Sequence, residues 1–220
     1  MRPMINIMRF DAPPLCEREV LRYASCKEAD EATVDIIKEC IEEALPLLSY
    51  KVCYAVLDLK ISSDECDFGV FRLRSKDLAK NLSGCDRVLL FAATVGLELD
   101  RLIEKQSRLS PSRALFLQAL GAERIEALCD EFCESFEKEN GVSLVPRFSA
   151  GYGDLPIETQ RDIFRVLNPQ KNIGLFLNES LLMSPSKSVT AFVGITDKKT
   201  SEQTGKCEKC KNKECSFRRI

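Results

Sequence analysis

Two stretches decide the fold: DRVLLFAATVG (86–96) and, a short charged interval later, SPSRALFLQALGAERIEALCDEFCESFEKENG (110–141). The first is too continuously apolar for a strand with one wet face, so it reads as a strand covered on both sides. The second opens on Ser110-Pro111, a helix start signal, and closes on Asn140-Gly141, a stop. Between them Ala114, Leu117, Gly121, Ile125, Leu128, Phe132 and Phe136 recur on one helical face. Working outward, residues 30–48 form an amphipathic helix with Asp30 as cap. VCYAVLDLKI (52–61) and FGVFRL (68–73) read as strands around a Ser-Ser-Asp-Glu turn. A short strand at 142–146, a loop at 147–156, a helix at 157–167, a strand near 173–178 and a last strand, SVTAFVGI (188–195), follow. This order predicts an α+β fold over residues 1–196, mainly an antiparallel twisted sheet packed with helices. Residues 197–220 form a separate Cys- and Lys-rich tail.

Composition narrows the chemistry. A chain of 220 residues that is 45% hydrophobic can bury a substantial core. Its net charge of −2 gives no footprint for nucleic acid. No apolar run approaches the roughly 20 residues that span a bilayer, and Arg2, Arg9 and Asp11 interrupt any leader-like segment. The expectation is a cytoplasmic protein. Eleven cysteines, an odd number, fit reduced thiols better than a secreted disulfide framework. No histidine is present, which excludes a Ser-His-Asp triad, a histidine base and histidine metal ligation.

The loop RFSAGYGDLP (147–156) is the densest group of binding chemistry. Arg147 offers a planar fork for a carboxylate or phosphate. Gly151 and Gly153 allow close backbone approach, and Tyr152 offers an aromatic face that a base or a sulfonium could use. Asp154 is placed to cap the following helix. The competing reading is a surface turn with a structural Arg, since a lone G-x-G is weak evidence. Elsewhere, Cys129 and Cys133 stand at i and i+4, where packing is the favoured explanation. In the tail, Cys207, Cys210 and Cys215 give C-x2-C-x4-C among six Lys and Arg residues. That spacing suits zinc or an iron–sulfur cluster, with Cys16, Cys26 or a partner's residue as a fourth ligand. A mobile thiol-rich tail is the alternative.

Arg147-Phe-Ser-Ala-Gly151-Tyr152 resembles the Arg-x-x-x-Gly-Tyr signature of the S-adenosylmethionine-binding activation domain of cobalamin-dependent methionine synthase. The likeness runs through DLPIETQ (154–160) and IGLFLNES (173–180) to MSPSKSVTAFVG (183–194), similar to that family's Met-x-Pro-x-x-Ser-Val segment. VLLFAATVGLELDRLI (88–103) resembles the Thr-x-Gly region of free-standing members. Phe148 and Ala150 replace two prolines of the fused bacterial form, which implies a less stiff loop. The resemblance implies a free-standing activation subunit, not a self-contained methyltransferase. It would bind S-adenosylmethionine and support reductive methylation of cob(II)alamin on a separate methionine synthase or other corrinoid protein, with flavodoxin or ferredoxin as electron donor. It further implies that Arg147 takes the ligand's carboxylate, Ser149 and Gly151 give backbone contacts, and Tyr152 packs near the sulfonium or adenosyl group. Glu179 and Ser188 lie in matching segments, as ligand contacts or as sheet support.

The second reading is a non-enzymatic metal- or iron–sulfur-binding interaction module whose S-adenosylmethionine site has decayed. A Rossmann methyltransferase is disfavoured, because FAATVGLELD (91–100) offers one glycine where a glycine-rich turn is needed. A radical enzyme lacks its usual cysteine spacing.

Overall fold

The computed structural model describes residues 3–26 and 30–197; Cys207, Cys210 and Cys215 lie outside them. Its centre is a five-stranded sheet in the order β1 (Asn6–Phe10), β2 (Tyr50–Asp58), β6 (Arg87–Thr94), β10 (Ser188–Thr196), β7 (Ser143–Leu144). Every neighbouring pair is antiparallel. The α+β expectation holds, and a parallel dinucleotide-type sheet is excluded.

Both faces of the sheet are covered, and side-chain alternation sorts the residues between two cores. Tyr50 and Val52, Leu89, Phe91 and Ala93, and Ala191, Val193 and Ile195 face the first. Cys53, Ala55 and Leu57, Val88, Leu90 and Ala92, and Phe192 face the second. The first core is closed by α1 (Glu17–Tyr23), α2 (Glu31–Ala44), α4 (Glu98–Leu109) and the 30-residue α5 (Pro111–Asn140). Phe132 of α5 anchors it, edge-on to Phe91 at 5.1 Å and to Phe10 at 6.3 Å between ring centroids. The second core lies under α3 (Lys76–Asn81), α6 (Thr159–Leu167) and α7 (Pro169–Ile173). It is also covered by the small sheet β3 (Lys60–Ser62), β4 (Glu65–Asp67) and β5 (Arg72–Arg74). A two-stranded hairpin, β8 (Phe176–Leu177) with β9 (Met183–Ser184), precedes β10.

Local signals explain most boundaries. Asp30 caps α2, accepting the Thr33 N–H at 2.9 Å, and Gly141 ends α5 in the left-handed region at φ 64°. Gly121, in the middle of α5, marks a close approach. A Cβ there would lie 2.7 Å from Leu99 and 2.8 Å from Lys187. Three expectations change. The strand expected at 52–61 breaks after Asp58 and restarts as β3. FGVFRL is strand only from Arg72, because Asp67 accepts the Gly69 N–H at 2.8 Å and turns the chain. The segment near 173–178 begins as the end of α7, stopped at Gly174 with φ 75°.

One buried pair ties the N-terminal segment to the helical layer. Arg124, fully buried on α5, binds both Glu123 carboxylate oxygens at 2.5 and 2.6 Å. It also donates to the carbonyls of Pro13 and Pro14 at 2.6 and 2.8 Å, while Glu123 accepts the Cys16 N–H at 3.1 Å. Removing one member of such a pair leaves a buried charge uncompensated. Glu123→Ala should therefore lower stability by about 3–5 kcal/mol in urea unfolding.

Candidate functional site

The edge of the sheet next to β10 carries the sequence-predicted loop. Here Leu144 faces Ile195 and the Val145 N–H bonds the Gly194 carbonyl at 2.9 Å. Continued in that register, Arg147 would face Phe192. Phe148 faces it instead, and the two exchange backbone hydrogen bonds of 2.9 and 2.8 Å. One extra residue has therefore entered the edge strand between Val145 and Phe148. This is a β-bulge, and it contains Pro146, which has no N–H to leave unpaired. Val145 and Phe148 both pack on the second core. Arg147, between them, is turned to the α5 side.

There Arg147 meets two carboxylates one helical turn apart. Its Nη1 donates to Asp130 Oδ1 at 2.5 Å and its Nη2 to Glu126 Oε2 at 2.7 Å. Its side chain is 21% exposed. Burial works against the guanidinium charge, but the Asp130 and Glu126 carboxylates offset it and hold Arg147 protonated beyond its ordinary range. Burial pushes the Cys133 thiol up to about 11 and the Cys129 thiol well above its ordinary value. Both thiols therefore stay neutral in the first core, in line with the packing reading. Sequence reasoning missed Glu126 and Asp130; their i, i+4 spacing on the polar flank of α5 was the available signal.

After Phe148 the chain leaves β10. Tyr152 N–H bonds the Ser149 carbonyl at 3.2 Å, and the Gly151 N–H and Leu155 carbonyl close the loop at 2.9 Å. Gly151 and Gly153 both have positive φ, 89° and 53°. A Cβ at Gly153 would meet Asp77 at 2.3 Å, so this position needs glycine twice over. Tyr152 is 67% exposed, its ring edge-on to Phe148 at 6.5 Å.

Asp154 does not cap the helix that follows it. Its carboxylate accepts the Ser75 hydroxyl and the N–H groups of Lys76, at 2.8 Å, and Asp77, at 3.2 Å, capping α3 instead. Asp77 returns the bond by accepting the Asp154 N–H at 3.2 Å. The loop is thus clamped to a helix 77 residues earlier in sequence.

Where the edge strand departs, β10 has no further backbone partner on that side among the described residues. In an antiparallel strand N–H and C=O of alternate residues point to the same side. Thr190, two residues before Phe192, therefore aims its backbone groups at the edge, and no backbone bond among the described residues continues the pairing past Phe148. Its residue is only 2% exposed. The start of β10 is tied to the end of β6: the Ser188 and Thr94 hydroxyls are 2.9 Å apart, and Thr94 Oγ1 accepts the Gly96 N–H at 3.2 Å. Ser188 is buried and also bonds the Pro185 carbonyl at 2.8 Å, which is sheet support. Glu179 sits exposed on the β8–β9 hairpin, its carbonyl 3.5 Å from Arg161 Nη2. Arg147 and the Ser149–Tyr152 turn thus follow one another where the edge pairing ends, Arg147 on the α5 side and the Tyr152 ring beside Phe148.

Among the described residues no group of three or more Cys, Asp or Glu is arranged to hold a metal ion, and no helix is long and apolar enough to cross a membrane. No family model and no curated protein matches the chain. Among solved structures, the chain is similar to the MetH reactivation domain bound to AdoHcy. The TM-score is 0.66 at 14% identity, over 88% of this chain and 78% of that one. That likeness establishes a shared fold.

The clamp has a definite pH signature. The Ser75 hydroxyl, with the Lys76 and Asp77 amides, holds the Asp154 carboxyl below its ordinary value of 3.8. Its contribution is present above the unfolded value and lost as the pH falls through the lower folded value. The Lys76 and Asp77 amides should stay protected from hydrogen exchange down to about pH 4 and lose protection below it. Asp154→Asn should reduce that protection at neutral pH.

Proposed function

We propose that the chain holds S-adenosylmethionine along the open edge of β10 and presents its methyl group to a corrinoid carried by a separate protein. That partner is a cobalamin-dependent methionine synthase or a related corrinoid protein, and the result is reductive reactivation, with flavodoxin or ferredoxin supplying the electron. The observation that carries this reading is the gap in the sheet edge beside Arg147 and the Gly151-Tyr152 loop. It occurs in a fold shared with a reactivation domain bound to AdoHcy.

Each part of the ligand has a counterpart. A guanidinium has five N–H donors, so Arg147 retains donors for the ligand's carboxylate after serving Asp130 and Glu126. Those carboxylates are placed to accept the ligand's ammonium. The Thr190 N–H and C=O form the donor–acceptor pair that an adenine edge complements, and the exposed Tyr152 ring suits a sulfonium. Ser149 and Gly151 line the turn between them. The methyl donor and the corrinoid supply the chemistry, and the chain supplies position. No histidine or nucleophile is required for that.

One observation favours the rival reading of a decayed site: the Arg147 fork is engaged by the chain's own carboxylates. Calorimetric titration separates the two. S-adenosylmethionine should bind saturably, and Arg147→Ala should weaken it at least tenfold, about 1.4 kcal/mol. Failure of the folded wild-type chain to bind would favour the interaction module. Thr190→Pro is the sharper variant. Because that N–H points off the sheet, proline removes a ligand donor without breaking the β6 ladder. Binding should fall tenfold or more while the far-ultraviolet circular dichroism is retained.

A further inference from the structure

Resting on the proposed S-adenosylmethionine site, we infer that Glu126 and Asp130 make it selective for charge, favouring the cationic sulfonium over the neutral thioether that remains after methyl transfer. The two carboxylates converge on one guanidinium, at 2.7 and 2.5 Å. The groups facing it from α5 add no positive charge. Cys129 and Cys133 are neutral thiols, and Glu137, one turn on, is a third carboxylate that accepts the Leu144 N–H at 2.6 Å. Bonding to Arg147 orients Glu126 and Asp130 without removing their charge, so these groups together carry a net negative charge. Burial leaves the Arg147 side chain only 21% exposed, which limits screening.

The ligand's two forms differ at one atom. With an ammonium, a carboxylate and a sulfonium, S-adenosylmethionine is a net monocation near neutral pH; S-adenosylhomocysteine, lacking the methyl cation, is neutral overall. The amino-acid end is common to both, so Arg147 cannot tell them apart through it. The sulfonium stands only four bonds from the carboxylate carbon that Arg147 would bind, about 5 Å along an extended chain. It therefore lies in the field of Glu126 and Asp130. One excess negative charge at about 7 Å, in the intermediate dielectric of a half-buried site, corresponds to a preference on the order of tenfold. The arrangement binds the methyl donor and, once the methyl has left, releases the product.

The test is a set of calorimetric titrations of the full chain with S-adenosylmethionine, S-adenosylhomocysteine and sinefungin, which carries an amine in place of the sulfonium. Wild-type protein should bind both cationic ligands about tenfold more tightly than S-adenosylhomocysteine, and added salt should shrink that ratio. Glu126→Gln with Asp130→Asn should bring the ratio close to one. In that variant S-adenosylhomocysteine loses its ammonium contacts and binds more weakly, while the two cationic ligands should lose about tenfold more. Equal binding of all three ligands by the wild type overturns the inference and leaves the site standing. So does a preference that survives both substitutions but vanishes in Tyr152→Ala, which would assign it to the ring. No binding of any ligand by the folded chain overturns the site itself.

Discussion

Strand β6 has no wet face, and most of the architecture follows from covering it twice. Seven of its eight residues are buried, so a layer of helices is required on each side and a hydrogen-bonding neighbour on each edge. Strands β2 and β10 supply the edges, and α5 supplies the longest part of one cover. The other cover is assembled from short pieces, α3, α6, α7 and the three-stranded sheet. Those pieces bring the 147–156 loop into register with α3, because a helix start exposes N–H groups that a carboxylate can satisfy. Asp154 does so across the cover, and the site loop inherits its position from the second core.

The site therefore depends on both cores at once. Arg147 belongs to the helical side through Glu126 and Asp130, while Phe148 and the clamp at Asp154 belong to the other. A loop held at both ends by different layers is fixed more firmly than its two glycines suggest. The prolines that the fused bacterial domain, which this loop resembles, carries at the positions of Phe148 and Ala150 would stiffen the chain locally; here tertiary contacts take over part of that task. Ala150 is buried, and Phe148 packs in the second core.

Much of this was legible in the sequence. The long helices α2 and α5 were read from their period and their end signals, and β6 and β10 from their apolar runs, because each carries its own evidence. The short elements α1, α3 and β1 were not, since five to seven residues cannot show a period and owe their structure to packing. The helix α4 was missed although Leu99, Leu102 and Ile103 have the right spacing; charged residues between them masked it. At the site, residue types and turn glycines were readable, but partners were not. Asp154 was expected to serve its own helix, and Glu126 and Asp130 were hidden on another one, because contacts made across tens of residues leave no local pattern.

The bulge at Pro146 has a consequence for how such a site can arise or be transferred. Along a strand, facing is a matter of parity: each residue added or removed exchanges the two sides for everything beyond it. Arg147 reaches α5 because two residues, Pro146 and Arg147, stand opposite Val193 alone, so that Phe148 keeps the face of Val145. No substitution at position 147 could reproduce that, and a regular register without the bulge would set Arg147 opposite Phe192 and send the guanidinium towards the second core while leaving every motif letter intact. Sequence identity of the loop is thus a poor guide to whether a relative carries the same site; the pairing register leading into it is the better one.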